Sequence, residues 1–287
     1  MKNIIPILAV VAAIVVIWYA AAIPMNSQWA LDQAKRADVE LSTSELIVDT
    51  WSQERPRLPA PHQVVAELWG STVEMKVTSK RSLIFHGWIT LSATMLGFAF
   101  GTGLGILLAV GIVHSRAMDM GVMPWAIASQ TIPILAIAPM IIVVLSSMGV
   151  SGIVPKAIIS AYLSFFPVVV GMVKGLRSPA TMDLDLMHTY SASRSQIFWK
   201  LRMPASMPYL FASLKVGIAA ALVGTIVGEL PAGAIRGLGA RMLSGSYYGQ
   251  TIQIWSALFA AAILAALLVG IIGVIQRRTL AKMGMTA

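Results

Sequence analysis

Apolar residues dominate six stretches of this chain, at 4–25, 88–113, 120–145, 152–173, 209–230 and 251–275. A helix rises about 1.5 Å per residue, so about twenty mostly apolar residues cross the hydrocarbon core of a bilayer. Each stretch meets that length. The pattern predicts an all-α polytopic membrane protein of about six transmembrane helices, with both termini on one side. The first stretch admits a second reading, because Lys2, an apolar run and Ala20-Ala21-Ala22 together look like a secretory signal and its cleavage site. Its apolar length of about twenty residues exceeds the 7–15 of a usual signal core, which favours a retained anchor.

Two intervening segments are too long to be turns. In 26–85, Ser44 is placed to cap a short helix through Trp51, and Pro61 to open another through Met75. Val64, Val65, Leu68 and Trp69 share one face of the latter, and Pro56, Pro59 and Pro61 stiffen the break between the two. This predicts a collar lying against a leaflet with Trp29, Trp51 and Trp69 as anchors, or else a docking surface for an external partner. In 174–208, Pro179 and Pro204 bracket two short helical patterns. Asp183 and Asp185 fall in the first turn of one, where negative charge complements the helix dipole. Ser193 with Gln196 three residues on forms a capping box for the other, along which apolar and basic residues alternate.

Within the apolar stretches, Gly97, Gly101 and Gly105 recur every four residues and so share a helix face where another backbone fits closely. Pro133 and Pro139 each remove a hydrogen bond from the third stretch. They predict either a kink or a broken helix beside an aqueous path. Lys215 lies about two turns into the fifth stretch, close enough for its stem to snorkel to the headgroups. Glu229 ends that stretch, and either reaches water or borders the mouth of a path.

Composition narrows the class. Of 287 residues, 57% are hydrophobic and 11% charged, with a mean hydropathy of +0.78. Soluble domains carry about a quarter charged residues. The net charge of +9 suggests nucleic acid until its placement is considered. It lies mostly in short segments beside apolar runs, which is an orientation signal for a bilayer. With the N-terminus inside, the inner segments hold ten bases against three acids, and the outer ones ten bases against nine acids. Arg277, Arg278 and Lys282 directly follow the last stretch, and this placement favours both termini inside.

Candidate chemistry is sparse. There is no cysteine, which excludes disulfides, thiolate metal sites and cysteine nucleophiles. The four histidines show no metal-ligand spacing, and no Walker-type phosphate loop occurs. No paired carboxylates fall inside a span. An enzyme is therefore not expected, with no cofactor, and active transport would draw energy from a separate subunit. The alternative is a secondary transporter of small solutes working without an ATPase, for which internal repeats and midplane ion-coupling residues are the signs, and neither is clear here.

The 174–208 segment resembles the EAA loop of bacterial ABC import permeases, whose pattern is E-A-A, three residues, G, nine residues, I-x-L-P. The frame falls on Asp185-Leu186-Met187, Ser191 and Leu201-Arg202-Met203-Pro204. Spacing is kept; the identities differ, and serine replaces the glycine of the turn. Over about 59–278 the chain is most similar to the nitrate, sulfonate, taurine and pyrimidine-precursor branch, through LPAPHQVVAELW, TIPILAIAPMIIVVL and VGTIVGEL.

The resemblance implies a type I ABC importer permease fold in the bacterial inner membrane, multi-pass, with both ends in the cytoplasm. Its divisions would be an N-terminal transmembrane helix at 1–25, a periplasmic amphipathic segment at 26–85, a permease core at 86–278 and a cytoplasmic tail at 279–287. It implies two ABC ATPase copies, a periplasmic substrate-binding protein, a second permease copy as a homodimer and the surrounding lipid as partners, and no nucleic acid. Asp185, Leu186, Met187, Ser191, Ala192, Arg194, Leu201 and Pro204 would form the ATPase-coupling loop. Pro133, Pro139 and Glu229 would border the translocation path.

Overall fold

The computed structural model describes residues 4–38, 41–231 and 235–285. Lys2, counted above in the charge balance, residues 39–40 of the expected periplasmic segment and residues 286–287 of the expected tail lie outside the described residues. The elements in order are α1 (Ile4–Arg36), α2 (Thr43–Ser52), α3 (Pro61–Trp69), α4 (Leu83–His114), α5 (Arg116–Ser129), α6 (Ile134–Ser147), α7 (Ile153–Leu176), α8 (Thr181–Thr189), α9 (Arg194–Ile197), α10 (Met203–Gly228), α11 (Leu238–Tyr247) and α12 (Thr251–Lys282). Two π-helical turns, Gly70–Glu74 and Phe198–Arg202, follow α3 and α9.

Five of these helices are long and apolar enough to cross a membrane. The third apolar stretch instead forms a pair, α5 and α6, bent by 98°. Each has 14 residues, about 21 Å, so neither alone crosses a bilayer core, and the count is six when the pair is one span. The break has a local cause. A proline disfavours helical backbone in the residue before it and offers no N–H, and Pro133 is the N-cap of α6. At the break the Tyr162 hydroxyl donates to the carbonyl of Ser129, the last residue of α5. This carbonyl, which Pro133 cannot serve and to which the Ile132 N–H donates only at 3.4 Å, thus gains a second protein partner.

The chain divides into two compact units, Met1–Gly87 with Ala240–Ala261, and Trp88–Gly239 with Ala262–Ala287. In the first, α1 continues eleven residues beyond the end of the first apolar stretch. The 42–60 segment is tied to it by buried Asn26. Its amide donates to the carbonyls of Thr50 (2.9 Å) and Leu58 (2.8 Å) and accepts from the N–H groups of Arg57 and Leu58. Trp18 donates to Pro59 O and lies against the rings of Trp255 and Phe259. Trp51, expected as a membrane anchor, instead donates to Tyr19 O, whereas Trp29 and Trp69 are exposed. α2 begins at a Ser42 cap rather than at Ser44, because the Glu45 carboxylate reaches back to the Ser42 N–H.

In the second unit α7 lies between α4 and α10. A Cβ on Gly97 would come within 2.5 Å of Ala157 O, and one on Gly105 within 2.9 Å of Phe165 O. Gly101 faces Ala161 O and Ser164 in the same row. On the other side Gly224 of α10 lies against Ile159 and Ser160, and Ser160 donates to Ala221 O at 2.9 Å. Lipid is as apolar as these side chains, so close backbone approach and buried hydrogen bonds hold the helices together where water exclusion would not. Ala109, Ile112, Val168, Val169, Met172 and Leu210 fill one core, and Phe211, Ile218, Leu268 and Ile272 join α10 to α12 in another.

Candidate functional site

The residues of the EAA-like frame come together in one elbow between α7 and α10. α8 begins two residues after Pro179, with Asp183 in its first turn; Asp185, expected there too, lies two residues on, beyond that turn. It ends in a Schellman motif. The Ala192 N–H donates to Met187 O (2.9 Å), the Ser191 N–H donates to His188 O (2.8 Å), and Ser191 has φ +53°. The left-handed position of the turn therefore falls on the residue that occupies the glycine of the frame. A serine there carries a Cβ penalty of about 1–2 kcal/mol that glycine avoids.

Two residues later Ser193 caps α9. Its N–H donates to Gln196 Oε1 (2.8 Å) and its hydroxyl accepts from the Gln196 N–H (3.3 Å). The expected bracket at Pro204 is not a break. α9, the π turn and α10 run on as one continuous helical span, Arg194–Gly228. Pro204 sits at the start of α10, and its ring would clash with the carbonyl four residues back. The wider π turn before it relieves that clash while the chain stays helical. Arg202 donates to Leu176 O (3.0 Å), binding the rod to the end of α7. Arg177 pairs with Asp119 at 2.8 Å, a partly exposed bridge of small energetic weight.

The surface of α8 is unusual for a helix in a folded chain, since none of its residues is buried. Met182 is 82% and Leu186 55% exposed, and Asp183, Asp185 and Tyr190 are exposed beside them. Met187, Ala192, Leu201 and Pro204 are half-buried, and Arg194 is exposed. A cavity of about 390 Å³ behind the elbow is lined by His114, Leu184, His188, Arg194, Phe198 and Arg202, among others.

The remaining candidates lie elsewhere. α10 has 26 residues, so Glu229, its C-cap, is about 39 Å along the axis from the elbow. It does not reach water, for it is 0% exposed. The Thr90 hydroxyl (2.9 Å) and the Gly239 N–H (3.0 Å) donate to its carboxylate, and Lys156 Nζ lies at 3.4 Å. Pro133 and Pro139 sit at the start of α6 and within it. Sequence reasoning missed Thr90, Lys156 and Gly239. Lys156, an isolated cation in an apolar stretch, was the available signal, because such a residue calls for a partner of opposite charge. Among the described residues no cluster of potential metal ligands occurs.

Comparison with known proteins bears on all of this. A family model described as "Binding-protein-dependent transport system inner membrane component" matches residues 101–283. The chain is similar to the formylaminopyrimidine transport permease protein ThiX of Halalkalibacterium halodurans, 33% identical over 183 residues, covering 63% of this chain and 68% of that protein. It is also similar to the riboflavin transport system permease protein RibX of Chloroflexus aurantiacus, 29% identical over 220 residues, covering 77% and 78% respectively. Among solved structures, an inward-facing form of the MetNI methionine ABC transporter matches with a TM-score of 0.57 at 21% identity. That match covers 68% of this chain and 95% of the other, and it supports the fold alone.

Proposed function

We propose a mechanism for this chain on the premise that it belongs to the binding-protein-dependent transport system inner membrane component family, as a permease subunit of an ABC importer and not an enzyme. It is a multi-pass inner-membrane protein. In our reading the elbow at 181–204 is its coupling element, and the exposed face of α8 enters a cleft on a separate ATPase. What carries this reading is the combination of a helix with no buried residue, apolar Met182 and Leu186 on its surface, and a fully hydrogen-bonded Schellman stop at its end. Met182 and Leu186, four residues apart and so on one side of α8, offer a partner adjacent apolar contacts.

Two such chains, each with one ATPase, would enclose the path, and a periplasmic binding protein would deliver the solute. Closure of the ATPases on ATP would draw the two elbows together. The continuous helical span Arg194–Gly228 would carry that motion across the bilayer, its π turn, Pro204 and Pro208 all lying near the elbow end. Pro133 and Pro139 are proposed to border the path through the break they impose on α5 and α6. With that pair crossing as one span, both termini share a side, and Arg277, Arg278 and Lys282 in the last turns of α12 favour the cytoplasm. The similarity to a formylaminopyrimidine permease favours a small pyrimidine-type solute, with sulfonate-type compounds as the second class.

The test is uptake by proteoliposomes containing this chain, the ATPase and the binding protein encoded with it. ATP inside is expected to drive accumulation of hydroxymethylpyrimidine or its formylamino precursor. Accumulation without ATPase, or on an ion gradient alone, refutes the reading.

A further inference from the structure

The end of α10 remote from the elbow holds a buried ionic cluster that coupling does not use. Glu229 takes a hydrogen bond from the N–H of Gly239, in the first turn of α11, while the Leu238 N–H donates to Thr90 Oγ1 at 2.9 Å. The first N–H groups of a helix have no partner within it, and they attract negative charge. Here a carboxylate ten residues upstream and the Thr90 hydroxyl supply what a local cap would. Thr90 donates its own proton to Glu229, so each of its polar atoms is used. Lys156 completes the cluster: Nζ lies 3.4 Å from Glu229 Oε1 and donates to Arg236 O at 2.8 Å.

The local sequence is built around this contact. Gly237 has φ +125°, and a Cβ on it would collide with the Glu229 carboxyl group. A Cβ on Gly239 would come within 2.5 Å of Ile226 O and 2.8 Å of Glu229 Cβ. Both glycines are therefore needed for the backbone to fold back onto the end of α10. A buried carboxylate is expensive unless neutralised and fully hydrogen-bonded, and a simple loop would not need one.

We infer that Glu229 is a positioning residue, an internal anchor whose carboxylate clamps the returning backbone at 236–239 onto α4, α7 and the end of α10. Lys156 holds both sides of the clamp, touching Glu229 and the Arg236 carbonyl. This role is independent of the elbow and of any ATPase.

The chain has no cysteine, so single-cysteine labelling needs no prior substitutions. Leu238 is 1% exposed, and Leu176, at the other end of the bundle, is 0% exposed. Leu238→Cys and, separately, Leu176→Cys are made in the full chain and labelled with a maleimide in detergent, with Glu229 intact, Glu229→Gln or Glu229→Ala. Glutamine keeps an acceptor for Thr90 and Gly239 but turns an amide donor or a neutral oxygen toward Lys156. Labelling at 238 is expected to rise about tenfold or more with Glu229→Ala and to be intermediate with Glu229→Gln, while labelling at 176 is unchanged. Unchanged labelling at 238 with Glu229→Ala overturns the inference. Equal acceleration at 238 and 176 also overturns it, since the carboxylate would then support the whole bundle and not this segment.

Discussion

Ser191 shows how much one backbone angle explains. The spacing of the EAA-like frame located the residue, and the fold adds that its φ is +53° at the stop of α8. Two substitutions separate geometry from side-chain chemistry. Ser191→Gly relieves the left-handed strain and should stabilise the protein by about 1 kcal/mol, read as a higher melting temperature in detergent, with uptake retained. Ser191→Pro fixes φ near −65° and removes the N–H that bonds His188 O, so uptake should be abolished while membrane insertion persists. Normal uptake by the proline variant would count against the coupling role. Glu229 teaches the reverse. A carboxylate at the end of an apolar stretch reads from sequence as a group reaching water or bordering a path, yet partners on α4, α7 and α11 enclose it, and no local pattern announces Thr90 or Gly239 among them.

At the level of elements, the every-fourth-residue glycines on α4 were legible as a close-packing face, although which helix they meet was not. The backbone of α7 lies against them, so added volume has nowhere to go. Gly97→Val should destabilise by about 1–3 kcal/mol, while Gly103→Val, whose Cβ would meet nothing within 4 Å, should be neutral in the same thermal assay. Similar losses for both would mean that close packing against α7 is not what decides. The third apolar stretch was legible in length but ambiguous in shape. Two prolines are compatible with a kink or a break, and the 98° bend became definite only with Tyr162 available to bond the Ser129 carbonyl. Pro204 misled in the opposite sense, since a π turn absorbs it and the helix continues.

For the whole molecule, the exposed face of α8 makes assembly the central prediction. Leu186→Asp should sharply reduce co-purification of the ATPase from detergent extracts while leaving the melting temperature of the isolated permease nearly unchanged, because Leu186 is 55% exposed. Unaltered recovery of the ATPase would place the contact elsewhere. Light scattering of the purified permease, corrected for detergent, should give a protein mass twice 30.6 kDa for the proposed homodimer. A mass of one chain would require a different partner to complete the path.

Hydrophobic run length, capping pairs and the spacing of one loop were enough to predict a helical membrane-spanning protein and the place of its elbow. These are properties of segments, fixed by hydrogen bonding and transfer from water within a few turns of chain. Only the tertiary structure decided that Asn26 gathers the segment after it onto α1, that Glu229 is enclosed, and that one long rod joins the elbow to that enclosed carboxylate. Such features join residues as many as 148 positions apart, as Thr90 and Leu238 are, and depend on which backbones approach closely enough to share a hydrogen bond. Periodicity along a chain carries no record of that distance.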